Sequence, residues 1–186
     1  MVLQDLEGCE KEYTTVMADP PWRFNDNLPG GGRGAAKHYE CMSLEDIRTL
    51  DVPSAENAHL YLWAPNWFAM TGTANSVLEA WGFRAVTILT WVKNKIGMGH
   101  YYRNDTEQCL FGVKGKLKPL CRSLRTSYHA PRKAHSEKPE GFVYDRVERL
   151  SPGPYLELFA RGERAGWDCW GLEAGGKVLQ RKGIFQ

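Results

Sequence analysis

The chain has 186 residues, of which 42% are hydrophobic and 25% are charged, and its formal net charge is +2. These values are close to those of ordinary globular domains and exclude a disordered, collagen-like or coiled-coil protein. No apolar run approaches the roughly 20 residues that cross a bilayer, and the acidic start has the wrong sign for a secretory leader. We therefore expect one cytoplasmic domain over residues 1–186, with a frayed tail over 174–186.

Two further features of composition bear on function. The five cysteines are widely spaced and odd in number, which indicates reduced thiols. Neither they nor the five histidines show zinc-ligand spacing, so we expect no metal site. Between Gly112 and Lys138, eight lysines and arginines accompany one acid. Such a block indicates either a surface that faces a polyanion or a solvated loop that binds nothing.

Strands and helices are predicted to alternate along the chain. The predicted strands cover residues 14–17, 59–63, 85–92, 107–113, 155–160 and 167–171, and the predicted helices cover 44–50, 67–81 and 139–150. Ser43 caps the first helix, Gly82 ends the second, and the nearly uniform apolar run over 85–92 predicts a strand buried on both faces. Residues 25–34 and 116–137 are predicted loops. This order predicts one doubly wound, mostly parallel α/β sheet with helices on both faces.

The informative motif is Asp19-Pro20-Pro21-Trp22, which directly follows the first predicted strand. Two prolines remove two N–H donors, so the turn offers acceptors only: the Asp19 carboxylate and nearby carbonyls, chiefly that of Pro20. Trp22 adds a flat apolar face. Acceptors beside an aromatic plate suit a planar ring with an exocyclic amine, such as adenine, whose nitrogen they orient towards an electrophilic methyl group. Asp19 or solvent would take the proton that the methylated amine releases. The alternative interpretation of the motif is an ordinary turn after a strand.

Several ordered segments extend this motif to most of the chain. They include VMADPPW (16–22), HYECMSLEDIRTL (38–50), LYLWAP (60–65), LTWVKN (89–94), GHYYRNDTEQCLFGVKG (99–115), HSEKPEGFVYDRVERLSPG (135–153) and LELFARGERAGWDCWG (156–171). In this order they resemble the MT-A70 family of S-adenosylmethionine-dependent adenine-N6 methyltransferases. The resemblance implies a Rossmann-like methyltransferase fold of the permuted type, in which the catalytic motif precedes the cofactor-binding strand.

The resemblance also implies roles for individual residues. Asp19 would bind the target amine and the methionine ammonium of the cofactor, S-adenosylmethionine, and Trp22 would stack on the base. Lys138 would hold the methionine carboxylate. A lysine is unfavourable at a helix start because the positive end of the helix macrodipole lies there, and an anionic partner would offset this. The other implied cofactor-binding residues are Arg161, Glu163, Arg164, Leu172 and Glu173, with Asp5 and Leu6 for the adenine. Leu172 stands where relatives often have asparagine, so it would contribute only its backbone.

Substrate contacts are predicted where positive charge and aromatic surface alternate, because a base in a duplex must leave the stack to react. The candidates are Tyr39, Lys93, Asn94, Tyr101, Arg103, Arg122 and Arg125; for the tyrosines, core packing is the alternative. The run GGGRGAAK lacks the spacing of a phosphate-binding loop.

We expect a nucleic-acid partner, DNA before RNA, and a second copy or related subunit, with no membrane. The competing functions are a catalytically silent nucleic-acid-binding subunit and a methyltransferase of protein amides or small amines.

Overall fold

The computed structural model describes residues 10–23, 41–97, 101–132 and 138–171, which form seven strands and four helices. The strands are β1 (Tyr13–Ala18), β2 (Ser54–Ala64), β3 (Arg84–Lys93), β4 (Thr106–Lys114), β5 (Ser127–Ala130), β6 (Tyr155–Leu158) and β7 (Trp167–Trp170). The helices are α1 (Leu44–Arg48), α2 (Asn66–Met70), α3 (Thr73–Ala80) and α4 (Glu140–Leu150). None of these helices is long and apolar enough to span a membrane.

All seven strands join one sheet in the order β5-β3-β4-β2-β1-β6-β7. β1 pairs in parallel with β2 on one side and with β6 on the other, whereas β4 is antiparallel to both β2 and β3. The chain thus leaves β1 towards one edge of the sheet and later returns on its other side. The carboxyl end of β1, which Asp19 follows, is therefore the switch point at which α/β sheets commonly bind ligands.

Helices cover both faces of the sheet. On one face, Ile47 of α1, Phe68 of α2 and Leu78 of α3 belong to the same hydrophobic cluster as the buried side chains of β1 and β2. On the other face, Val143 and Val147 of α4 pack in a cluster with Met17, Trp63 and Trp91. The predicted α/β architecture, with a mostly parallel sheet and helices on both faces, is confirmed.

Local sequence accounts for where the helices begin and end. Ser43 Oγ accepts a hydrogen bond from the Asp46 backbone N–H at 3.1 Å, and Asp46 accepts one from the Ser43 N–H at 3.3 Å, which is a capping box. The single helix predicted over 67–81 is wrong, because the chain breaks into α2 and α3 at Thr71 and Gly72. Gly72 has a φ of 78°, a left-handed conformation that no helix interior adopts.

The predicted burial of β3 on both faces is also wrong. Val86 and Ile88 are 50% and 45% exposed. β5 pairs only with Thr90–Lys93, so the first half of β3 lies at the edge of the described sheet. Its β-branched composition favours a strand but does not decide whether that strand lies at the centre of the sheet.

The predicted loop over 116–137 is partly regular structure. Ser127–Ala130 forms β5, and hydrogen bonds fix the preceding segment, which we call the basic loop (residues 115–126). Residues 133–137 lie outside the described ranges, as do the loop predicted over 25–34 and the tail over 174–186.

Candidate functional site

The carboxyl ends of β1 and β6 border a cavity of about 190 Å³, which we call the switch-point cavity. Five of the predicted site residues line it, namely Asp19, Lys138, Arg161, Glu163 and Arg164. Trp63, Tyr144 and Glu157 are among the other lining residues. The structure therefore brings together residues that are separated by as many as 145 positions in the sequence.

The wall of the cavity that contains Asp19 is the end of a chain of alternating charges. Lys138 Nζ lies 3.0 Å from Asp19 Oδ2 and also pairs with Glu107 Oε1. The second oxygen of Glu107 pairs with Lys93 Nζ at 2.6 Å. The side chains of Lys138, Glu107 and Lys93 are only 9%, 11% and 13% exposed. Each buried charge therefore has an opposite charge beside it, as burial requires.

Aromatic rings complete the environment of the two ammonium groups. Lys138 Nζ lies 4.7 Å from the ring centroid of Trp63, and Lys93 Nζ lies 4.7 Å from that of Trp91. Faces of tryptophan rings attract cations, most strongly where water is excluded. Both ammonium groups are thus held by a carboxylate and a ring.

The pKa values of this network follow from burial and from how the charges are shared. Burial raises the pKa of the Asp19 carboxyl above its usual value, and Lys138 offsets only part of this. Burial also acts to raise the pKa of Glu107, but Lys138 and Lys93 together bring it below its usual value. Burial acts to lower the pKa of Lys138, which the carboxylates of Asp19 and Glu107 nevertheless raise. Lys138 is therefore a cation shared between two acids, Asp19 and Glu107.

A second acid, Glu157 of β6, also lines the cavity. The Tyr144 hydroxyl donates towards both carboxylate oxygens of Glu157, at 2.9 and 2.8 Å. Burial nevertheless raises the pKa of Glu157 to about 7. The guanidinium of Arg164 lies 4.1 Å from the ring centroid of Tyr144. Glu157 is therefore poised to change charge near neutral pH.

The loop after β6 brings Arg161, Glu163 and Arg164 to the cavity through a sharp turn. Phe159, at the end of β6, has a φ of 63°, which is strained for a residue other than glycine. Beyond β7, a Cβ on Gly171 would lie 2.0 Å from the Ala160 carbonyl oxygen, so only glycine fits there. The close approach of these two backbones fixes the path of the loop.

The structure places Trp22 in the core beneath the turn. Its side chain is buried with 6% exposed, its ring stacks on Phe68 at 5.0 Å, and its Nε1 donates to the Trp63 carbonyl at 2.9 Å. Among the described residues, the indole therefore packs in the same hydrophobic cluster as the buried side chains of β1 and β2. Stacking of Trp22 on a base stays a prediction.

The carbonyls of the two prolines of the motif each accept a hydrogen bond that shapes the turn. The Pro20 carbonyl accepts from the Trp22 N–H at 2.8 Å, and the Pro21 carbonyl accepts from the Met42 N–H at 3.1 Å. Each carbonyl therefore already has one donor. Asp19 remains the acceptor of this turn that lines the cavity.

The predicted substrate residues fall into three places. Lys93 belongs to the charge network, and Asn94 Oδ1 accepts from the Arg132 N–H at 3.0 Å. Tyr101 and Arg103 lie between β3 and β4, where Tyr101 is 98% exposed, which excludes core packing. Arg122 and Arg125 border a different cavity, whose lining does not include Asp19. Tyr39 lies outside the described residues, as do Asp5, Leu6, Leu172 and Glu173.

Sequence reasoning missed the two buried acids, Glu107 and Glu157. Each stands in a segment whose apolar neighbours predict a buried strand, β4 and β6 respectively. A carboxylate in such a strand is costly unless it is paired or used. A charged side chain in a predicted buried strand was therefore the signal that could have identified both residues.

Comparison with known proteins places the chain in a family. The sequence model of the MT-A70 family matches residues 13–173. Type II methyltransferase M.MunI of Mycoplasma sp is 34% identical over 189 residues, covering 88% of this chain and 78% of the relative. A putative N(6)-adenosine-methyltransferase MT-A70-like of Medicago truncatula is 31% identical, covering 93% of this chain. The N(6)-adenosine-methyltransferase catalytic subunit METTL3 of Homo sapiens is 32% identical, covering 81% of this chain.

The extent of these matches differs between the relatives. The chain spans 28% of the Medicago truncatula protein and 26% of METTL3, but most of M.MunI. In all three, the match covers more than four-fifths of this chain. The chain belongs to the MT-A70 family of methyltransferases.

Proposed function

We propose that this protein transfers a methyl group from S-adenosylmethionine to the N6 amine of adenine in nucleic acid, with DNA preferred to RNA. The observation that supports it best is the ion pair of partly buried Asp19 and buried Lys138, both of which line the switch-point cavity. The relatives named N(6)-adenosine-methyltransferases support the choice of adenine. DNA comes first because the relative matched over most of its length is named a type II methyltransferase, whereas those named for adenosine are far longer.

The charges of the switch-point cavity suit the proposed cofactor. S-adenosylmethionine combines an ammonium, a carboxylate and ribose hydroxyls, and when bound it supplies an electrophilic methyl group. The cavity is lined by acids, which suit the ammonium and the hydroxyls, and by cations, which suit the carboxylate; they include Asp19, Glu163 and Lys138. One of its lining residues, Trp63, has a buried Nε1–H without a hydrogen-bond acceptor among the described residues. A polar ligand could satisfy this donor.

The chain's own residues would act by binding, orientation and proton transfer. Lys138 stays charged and would hold a carboxylate of the cofactor. Asp19 would accept hydrogen bonds from the target amine and orient its lone pair. Its raised pKa also suits it to take up the proton that the methylated amine releases, directly or through solvent. Most of the rate acceleration would come from positioning and electrostatics.

Two further parts of the proposal concern the cell compartment and a partner subunit. The four cysteines of the described residues are free thiols, which supports a reducing compartment, and we place the protein in the cytoplasm. METTL3 is named a catalytic subunit, which supports a second copy or a related subunit as partner. The silent-subunit alternative predicts cofactor-independent binding of nucleic acid without transfer.

The test is transfer of radiolabelled methyl from S-adenosylmethionine to matched single-stranded and duplex oligomers of DNA and RNA. Asp19→Asn keeps the shape of the side chain and should reduce transfer at least about a hundredfold, as loss of a positioned acid–base group does. Asp168→Asn is the matched control, because Asp168 lies on β7 and pairs with Lys11, away from the cavity. Label on a base other than adenine, or equal transfer by Asp19→Asn, would overturn the proposal.

A further inference from the structure

A second cavity, of about 550 Å³, lies on the face of the sheet that α4 covers. We call it the basic groove. Its floor is apolar and comes from β3, β4, the basic loop and the end of α4, including Leu89, Phe111, Val113, Leu117, Leu124 and Leu150. Nothing in the proposed function uses this cavity, which shares no lining residue with the switch-point cavity.

Cations surround this apolar floor. They are Arg84 of β3, Lys116, Arg122 and Arg125 of the basic loop, and Arg146 of α4. Among the residues that the structure describes, no aspartate or glutamate lines the groove. Among the described residues, none of the first four makes an ion pair with an acid. The lysines of the charge network, in contrast, are each paired with a carboxylate. The groove therefore presents positive charge that the described protein leaves uncompensated.

The basic loop that supplies three of these cations is fixed in place. The Lys116 N–H donates to Asn57 Oδ1 at 2.7 Å, and the Leu120 N–H donates to the Leu150 carbonyl at 2.7 Å. A ring nitrogen of buried His59 lies 3.2 Å from the Leu117 carbonyl oxygen. At the end of the loop, the Thr126 carbonyl accepts from the Thr90 N–H at 2.7 Å. A fixed backbone reduces the entropy that a ligand must overcome on binding.

The groove lies next to the proposed reaction site. Tyr61 of β2 lines the groove, whereas Trp63, two residues along the same strand, lines the switch-point cavity. Arg146 and Tyr144 of α4 are divided between the two cavities in the same way. At about 3.3 Å per strand residue, the near edges of the two cavities are roughly 7 Å apart.

We propose that the basic groove binds the substrate strand of the nucleic acid beside the target adenine, with phosphates on its arginines and sugar or base surface on its apolar floor. This inference rests on the proposed function and names a second point of attachment for that substrate. Arginine guanidinium groups match phosphate oxygens in geometry as well as in charge. Cations around an apolar surface suit a chain in which charged phosphates and flat rings alternate.

The test compares binding of single-stranded DNA by the wild-type chain and by Arg122→Ala/Arg125→Ala. Fluorescence anisotropy would measure the Kd of a 15-nucleotide and a 4-nucleotide oligomer, each containing adenine, over a range of salt concentrations. Lys118→Ala is the matched control, because Lys118 is an exposed cation of the same loop that does not line the groove. Thermal unfolding and circular dichroism would check that each variant is folded.

For the long oligomer, the double variant should bind about tenfold more weakly, and the slope of log K against log salt should fall by about 1.4, since each phosphate contact on a single strand contributes about 0.7. Lys118→Ala should match the wild-type chain, and the double variant should lose less affinity for the short oligomer, which has fewer phosphates. If the double variant is unstable, Arg84→Gln on β3 should still weaken binding of the long oligomer.

Three results would overturn the proposal: an unchanged Kd and salt slope for the long oligomer, no binding of that oligomer by the wild-type chain, or equal competition by polyglutamate of the same charge. Methyl transfer separates this failure from that of the proposed function. Equal methyl transfer by the wild-type chain and by the double variant would support the proposed function but contradict the role of the groove in binding the substrate.

Discussion

Glu107 holds two buried ammonium groups at once, and the charge balance of the site depends on it. Glu107→Gln keeps the volume of the side chain but leaves Lys93 without its carboxylate. Breaking a buried ion pair by removing one partner costs about 3 to 5 kcal/mol, because the other charge remains desolvated. We therefore expect Glu107→Gln to lower the free energy of unfolding in urea by an amount in this range.

The paired substitution Glu107→Gln/Lys93→Met separates this explanation from simple loss of packing. It removes the stranded charge together with its partner, so it should be more stable than Glu107→Gln alone. A double variant as unstable as the single one would show that the charge balance is not the cause.

Glu157 gives the folded protein a pH dependence of its own. Its pKa is about 7 in the folded protein against an ordinary value of 4.5. An acid with a raised folded-state pKa is ionised at a cost, so the wild-type free energy of unfolding should fall as the pH rises from about 4.5 to about 7 and then level off. Glu157→Gln lacks this decline and should be more stable than wild type by about 1 to 3 kcal/mol at pH 8, given 1.36 kcal/mol for each pKa unit.

The measurement is the difference in unfolding free energy between Glu157→Gln and wild type at pH 5, 6, 7 and 8. Other titrating groups are common to both proteins and cancel in the difference. Tyr144→Phe removes the hydrogen bond that lowers the pKa of Glu157 and should extend the wild-type decline to higher pH. If the difference in unfolding free energy between the two proteins does not change with pH, Glu157 is not the group that titrates in this range.

At the scale of elements, the break between α2 and α3 depends on one backbone conformation. Gly72 has a φ of 78°, and a Cβ added there meets no atom within 4 Å. Gly72→Ala therefore isolates the conformational cost of a left-handed residue, and we expect a loss of about 1 to 2 kcal/mol of unfolding free energy. Gly162→Ala is the matched control, since its Cβ also meets open space but its φ is not positive. Equal effects of the two substitutions would contradict this reading of the break.

That break also illustrates what periodicity could and could not predict. The apolar residues Trp67, Met70, Ala74 and Val77 keep helical spacing across Gly72, so the pattern alone predicts one helix. The same limit applies to β3, where β-branched residues predict a strand but not its place near the edge. In both cases the local preference is correct, and the tertiary arrangement that interrupts or exposes it is encoded by distant parts of the chain.

At the scale of the whole molecule, the turn over residues 19–22 was predictable because its signal is local. A strand followed by Asp19 and two prolines must end there, at the carboxyl ends of the strands, where α/β sheets commonly bind ligands. The partners of Asp19 were less accessible, because Glu107 and Lys138 meet only when β4 and the start of α4 come together. The burial of Trp22 was likewise set by Phe68 and Trp63, which lie more than forty residues away.

Because the switch-point cavity draws its lining from β1, β2, α4 and the loop after β6, a ligand bound there would join segments that are distant in sequence. A ligand that binds the folded state alone stabilises it by about 2.7 kcal/mol at one hundred times its Kd. For a domain of this size, we expect S-adenosylhomocysteine, the product of the proposed reaction, to raise the midpoint of thermal unfolding by about 5 to 10 °C. Arg161→Ala should abolish most of this increase, whereas Arg84→Ala, in the basic groove, should retain it. An equal increase in both variants would place the ligand outside the switch-point cavity.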